Sequence, residues 1–311
     1  MIIEGMKALL LSAVAITMIA RGQEPAEPVT FRTGVASVRV DAQVFEGTRA
    51  VAGLTKADFQ LYDNNAAQAI IYFDQEREPV TLLLVLDVSG SMARHLEQMA
   101  AASRAALNGL RAGDQVGVMV FSRHSKVTTP FTADLSRVSD ELKTAIREKD
   151  LGSGTQINAA LQDAAKMFLE QAPATGRRAV LIVTDNLGVN YQLSDETVIR
   201  ALQDANTVCN SIIVGRSKKS EKESRFRNPD FSYADVFSIA EETGGDAVKS
   251  DKAGEAFGDI LERIRSRYSL HYGSPGGEPG VFRAIRLELT AAAKARFPRA
   301  TMRYRKGYYA R

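Results

Sequence analysis

Thr81-Leu82-Leu83-Leu84-Val85-Leu86-Asp87-Val88-Ser89-Gly90-Ser91-Met92 is the stretch on which the fold turns. A continuous apolar run without polar alternation is the pattern of a parallel strand covered on both faces. The run ends in Asp87, with Ser89 and Ser91 on either side of Gly90, so the oxygen atoms gather at the C-terminal end of the predicted strand. Gly90 frees the turn between them. A carboxylate with hydroxyls is a hard-oxygen set suited to Mg²⁺, which keeps several waters and takes one or two protein carboxylates. The competing assignment for Ser91 is a helix cap, because a helical pattern follows it directly.

Outward from this stretch, strand and helix patterns alternate. Strands are expected at 81–87, 115–121, 126–131, 178–185, 207–215 and 246–249, and helices at 92–110, 135–148, 156–171, 194–205, 232–243 and 253–267. Met92, Leu96, Met99, Ala106, Leu107 and Leu110 make the apolar stripe of the first helix, and Ile157, Leu161, Ala164, Phe168 and Leu169 that of the third. Such alternation means an α/β fold, a doubly wound and mostly parallel sheet flanked by helices. Ligands of such sheets bind beyond the C-terminal strand ends where the strand order reverses, commonly between the first and fourth strands. Asp87 ends the first expected strand and Asp185, in Ala179-Val180-Leu181-Ile182-Val183-Thr184-Asp185, ends the fourth. Thr155, in Gly152-Ser153-Gly154-Thr155, heads a helix at the same edge.

These residues carry a family resemblance. Asp87, Ser89 and Ser91 match the D-x-S-x-S motif of von Willebrand factor A domains, the metal-ion-dependent adhesion site also found in integrin I domains. That family completes the motif with a threonine in a second loop and an aspartate in a third, positions filled here by Thr155 and Asp185. The resemblance covers about residues 80–267, and departs at Asn186, where members often have glycine, a difference that bears on loop shape. It implies that Ser89, Ser91 and Thr155 bind a divalent cation directly, Mg²⁺ or else Mn²⁺ or Ca²⁺, with Asp87 and Asp185 binding directly or through water. It also implies one open position, filled by a glutamate or aspartate of a partner protein. The implied function is cation-dependent adhesion, without enzymatic turnover.

The flanks have a different rhythm. Residues 29–78 and 268–311 read as short strands with one polar face, as in Ser37-Val38-Arg39-Val40-Asp41-Ala42-Gln43-Val44 and Phe282-Arg283-Ala284-Ile285-Arg286-Leu287-Glu288-Leu289. Neither flank has enough apolar residues for a core of its own, so they are expected to pair as one small β-rich domain with residues 79–267 inserted in it. At the start of the chain, Lys7 precedes the apolar run Ala8 to Ala20, too short to span a bilayer, so residues 1–22 read as a signal peptide, with an uncleaved anchor as the alternative. The expected location is outside the cytoplasm: periplasmic, cell-surface or secreted. The flanks also resemble those of bacterial exported proteins that carry such a domain.

Composition narrows the remaining functions. The chain has 311 residues, a net charge of +3 and a single cysteine, Cys209. That near balance gives no argument for nucleic acid, and one cysteine forms no internal disulfide. Asp87-Val88-Ser89-Gly90-Ser91 is not a nucleophile elbow, and Gly152-Ser153-Gly154-Thr155 lacks the lysine of a phosphate-binding loop. His95, His124 and His271 have no zinc spacing. A structural envelope scaffold, in which a metal only staples loops, remains the alternative to adhesion, and a metal-dependent hydrolase would need a base that the sequence does not offer. Two charged stretches, 216–227 and 294–311, read first as a solvated loop and an outward strand face.

Overall fold

The central strand Val80–Asp87 is buried along its whole length, and its side chains divide between two cores. Leu82, Leu84 and Leu86 pack with helices Ala93–Leu107, Leu135–Ala145 and Ala253–Arg265. Leu83 and Val85 face the other way, toward helices Ile157–Gln171, Asp195–Asp204 and Val236–Thr243. Successive side chains of a strand point to opposite faces, so a strand with helices on both sides is apolar between its ends, here from Leu82 to Leu86. This computed structural model describes residues 37–47, 49–75, 77–148, 150–173, 175–215 and 230–311. The expected signal peptide 1–22, residues 29–36 of the N-terminal flank and the basic loop 216–227 lie outside them.

Six strands form the central sheet, in the order Ala247–Lys249, Thr207–Ile213, Arg177–Thr184, Val80–Asp87, Gln115–Phe121 and Ser125–Thr132. The first five run parallel, and the last pairs antiparallel with Gln115–Phe121. From Val80–Asp87 the chain winds out to one edge, then returns to Arg177–Thr184 on the other side. The strand order therefore reverses between the strand that ends in Asp87 and the one that leads into Asp185.

The flanking strands pair with one another. Ser37–Ala42 lies antiparallel to Tyr268–Gly273, which on its other side meets Ile70–Gln75. Phe59–Asp63 pairs with Ile285–Leu289, and Gln43–Glu46 with Ala300–Arg303. Val40, Val44, Phe59, Leu61, Tyr268, Leu270, Ile285 and Leu287 share a third core. The described residues between 37 and 311 hold together as one unit.

Two local readings change. The helix expected over 232–243 begins only at Val236, where Asp235 Oδ1 accepts hydrogen bonds from the Phe237 and Ser238 amides. Phe231–Tyr233 is instead a strand, antiparallel to Val189–Tyr191. The second change is a short helix, Ala291–Arg296, in the C-terminal flank, its start capped by the Thr290 hydroxyl.

Candidate metal centre

The strand ends place their oxygens by local hydrogen bonding. Asp87 is wholly buried, and both carboxylate oxygens are engaged: Oδ1 accepts from the Ser89 amide at 3.0 Å and Oδ2 from the Thr184 hydroxyl at 2.7 Å. Burial pushes the Asp87 carboxyl above the usual carboxylate range; hydrogen bonds from Ser89 and Thr184 work against that, and the nearby Asp185 charge adds to it. Asp87 thus orients the loop after its strand and fastens it to the neighbouring strand.

The two serines do not serve as helix caps. The short 3₁₀ turn Gly90–Met92 has Ser89 at its N-cap and the following helix has Met92, neither with a side-chain capping bond. Ser91 Oγ donates instead to Asp185 Oδ2 at 2.7 Å, across 94 residues of sequence, and Ser89 Oγ stands 3.4 Å from Ser91 Oγ. Oxygens around an octahedral Mg²⁺ at about 2.1 Å lie about 3.0 Å from their neighbours. The observed separations bracket that edge, so Ser89, Ser91 and Asp185 fit a small hard cation.

Asp185 sits on a loop shaped by Asn186. The Leu187 amide donates to Asp185 Oδ1 at 3.1 Å, and Asn186 has φ of +57°. That left-handed conformation is easy for glycine and tolerable for asparagine, so Asn186 keeps the turn that glycine would make. Its Oδ1 accepts from the Val236 amide, tying the loop to the next helix.

Thr155 is tied by its backbone to the loop that follows Asp185. Its carbonyl accepts from the Val189 amide at 3.1 Å. A Cβ on Gly188 would come within 2.9 Å of that carbonyl oxygen, so the two loops touch where glycine stands. Ser122 holds the Thr155 loop from the other side. Its hydroxyl donates to the Gly152 carbonyl at 2.6 Å, and its own carbonyl accepts from the Gln156 amide. Among the described residues the Thr155 hydroxyl makes no hydrogen bond to Asp87, Ser89, Ser91 or Asp185; what ties Thr155 to the Asp185 loop is its backbone carbonyl.

Among the described residues no group of three or more His, Cys, Asp or Glu side chains is placed to hold a metal. The cluster here has two carboxylates and otherwise hydroxyls, a donor set that suits Mg²⁺ better than softer ions. Thr184 and Ser122 are the positioning residues that sequence reasoning missed. The signal for Thr184 was a hydroxyl one position before Asp185, on the strand beside Asp87.

Comparison with known proteins finds likenesses in this part of the chain. Residues 82–188 match the family model of the von Willebrand factor type A domain, a span that contains Asp87, Ser89, Ser91, Thr155 and Asp185. A curated but uncharacterized protein of Borreliella burgdorferi is 25% identical over 179 residues, 53% of this chain and 52% of that one. The chain therefore spans about half the length of this relative. Among solved structures, proximal thread matrix protein 1 from the mussel byssus is 16% identical, with a TM-score of 0.50 over 65% of this chain and 51% of that one. An aerotolerance-related membrane protein from Bacteroides fragilis is 22% identical, covering 60% of this chain and 98% of its own, with a TM-score of 0.45. No helix among the described residues is long and apolar enough to cross a membrane.

Proposed function

We propose that Asp87, Ser89, Ser91, Thr155 and Asp185 form a divalent-cation site through which the chain binds a carboxylate of a partner protein. Mg²⁺ is the natural occupant, with Mn²⁺ or Ca²⁺ as substitutes. The observation that carries this reading is Ser91 Oγ at 2.7 Å from Asp185 Oδ2, with neither Ser89 nor Ser91 spent on capping. The match of residues 82–188 to the von Willebrand factor type A domain supports it.

In this reading Ser89, Ser91 and Thr155 hold the ion, Asp185 supplies a charge beside it, and Asp87 fixes the loop. When bound, the ion supplies a positive centre that a partner's aspartate or glutamate can meet. The activity is binding, without turnover, and the setting is the cell envelope, reached by export through residues 1–22. Calorimetric titration of Mn²⁺ and Mg²⁺ into the full chain tests the site: saturable binding is expected in the parent and its loss in Ser91→Ala. Pull-down from envelope extract tests the activity: capture abolished by chelator is expected. Capture indifferent to both chelator and Ser91→Ala would leave a scaffold in which no cation takes part.

A further inference from the structure

A cavity of about 120 Å³ lies where the flanks meet the end of helix Asp195–Asp204. Ser274, Arg305, Tyr309 and Arg311 line it from the flanks, and Asp204 and Asn206 from the helix end. A single ordered water needs roughly 10–15 Å³ of such space, so the cavity has room for a small molecule.

Arg305 gives the cavity its chemistry. It is only 7% exposed, yet every oxygen it bonds is neutral. Its Nε donates to the Gly307 carbonyl at 3.0 Å, Nη1 to Asn206 Oδ1 at 2.9 Å and Nη2 to the Gln203 carbonyl at 3.4 Å. A guanidinium has five N–H groups, so two remain after these bonds. Burial pulls the group down to about 10, against the more distant Asp41 and Asp204 carboxylates. Arg39, Arg265 and Arg283 each bond a carboxylate directly. Arg177 also meets carbonyls, but it lines no part of this cavity.

The rest of the wall narrows the ligand. A guanidinium fork with free N–H groups matches a carboxylate, which it can take through two parallel bonds. Arg311 adds a second positive group, which bonds only the Asp204 carbonyl among the described residues. Asp204 works the other way: its carboxylate, 3.9 Å from Arg200 Nε, borders the same space and disfavours a second negative charge there. Val38 and Tyr309 supply an apolar side.

We propose that this cavity binds a small monocarboxylate, its carboxylate on the free N–H groups of Arg305 and its short apolar tail against Val38 and Tyr309. The site is separate from the cation site and does not depend on it. Helix Asp195–Asp204 starts beside the helix that follows Thr155, where Asn158 Nδ2 donates to Asp195 Oδ1 at 2.7 Å, and ends at the cavity.

Titration calorimetry and ligand-observed NMR on the full chain test this with butyrate, with butyramide as its uncharged counterpart and inorganic phosphate as a more highly charged anion. Saturable butyrate binding of millimolar affinity or better is expected, within reach of a ligand of about six heavy atoms. Butyramide and phosphate should each bind about tenfold more weakly or not at all. Ser274→Leu, which fills the cavity and leaves Arg305 in place, should weaken butyrate by about tenfold, and Arg305→Lys, which keeps the charge but loses the fork, by a similar factor. Circular dichroism melting is the fold control, and if Arg305→Lys unfolds the chain, Ser274→Leu decides alone. Butyramide binding as well as butyrate would make the cavity an apolar slot, and phosphate binding more tightly would make it a site for another class of anion; either overturns the proposal. Butyrate binding that is absent from the parent, or unchanged in Ser274→Leu, overturns it too.

Discussion

The two ends of the parallel sheet both bury carboxylates, and they treat them in opposite ways. At the end where strands begin, acids are matched with guanidinium groups. Asp114 Oδ1 accepts from Arg265 Nη1 at 3.1 Å and from the Val80 amide at 2.8 Å, and its Oδ2 accepts from the Arg111 amide. Arg39 donates to Asp41, to Glu78 and to the Gly176 carbonyl. At the end where strands finish, Asp87 and Asp185 have no Lys or Arg partner among the described residues and are met by hydroxyls and amides. Burial works to raise the Asp41 carboxyl, yet Arg39, Arg177 and Ser269 hold it below the usual range, whereas burial prevails at Asp87. One end is closed electrostatically, and the other is a charge deficit that a cation can fill.

The contrast can be broken most forcefully at the closed end. Asp114→Ala removes the buried carboxylate that Arg265 and the Val80 and Arg111 amides share, and is expected to cost about 3–5 kcal/mol in urea unfolding. A loss below about 1 kcal/mol, the range of exposed pairs, would show that end to be less dependent on pairing. Next in size is the response of the open end to metal. Divalent cation at a hundredfold excess over its dissociation constant should stabilise the chain by about 2.7 kcal/mol, a gain absent from Asp185→Ala.

Gly188→Ala sharpens the geometry between two loops. A methyl group there meets Ile157 at 2.8 Å and the Thr155 carbonyl at 2.9 Å, so the Thr155 loop must shift. Cation affinity is expected to fall by about tenfold, or about 1.4 kcal/mol, while the apo fold survives. The smallest effect should come from removing charge. A raised Asp87 contributes stability that is present below its unfolded value of 3.8 and lost as pH rises through the folded value. In chelator, that loss of stability with rising pH is therefore expected to be missing from Asp87→Asn, which should also weaken the response to cation. Asp41 has the reverse sign. Its contribution is present above 3.8 and lost as pH falls through the lowered folded value, so Asp41→Asn should flatten that part of the acid titration.

Much of this was legible in the sequence because period and position carry it. The apolar run 81–87 named the central strand, and Asp87 and Asp185 at strand ends named the edge where oxygens meet. What stayed hidden depends on neighbours that sequence does not order. Thr184 looks like one more strand residue until Val80–Asp87 lies beside it. Ser232-Tyr233 reads as the start of a helix, although the cap that starts it, Asp235, lies a few positions further on. The Thr155 loop was named by motif, but its anchor, Ser122, belongs to a loop whose path no local pattern defines.

The pairing of the flanks has a mechanical consequence. Gly176 and Pro79 meet where the flanking strands join, at the beginnings of the central strands, while Asp87 and Asp185 stand at their ends. A pull between a captured partner at one pole and the flanks at the other would run lengthwise along Val80–Asp87. Its ladders to both neighbours would then be loaded in shear, many hydrogen bonds at once, and would not unzip singly.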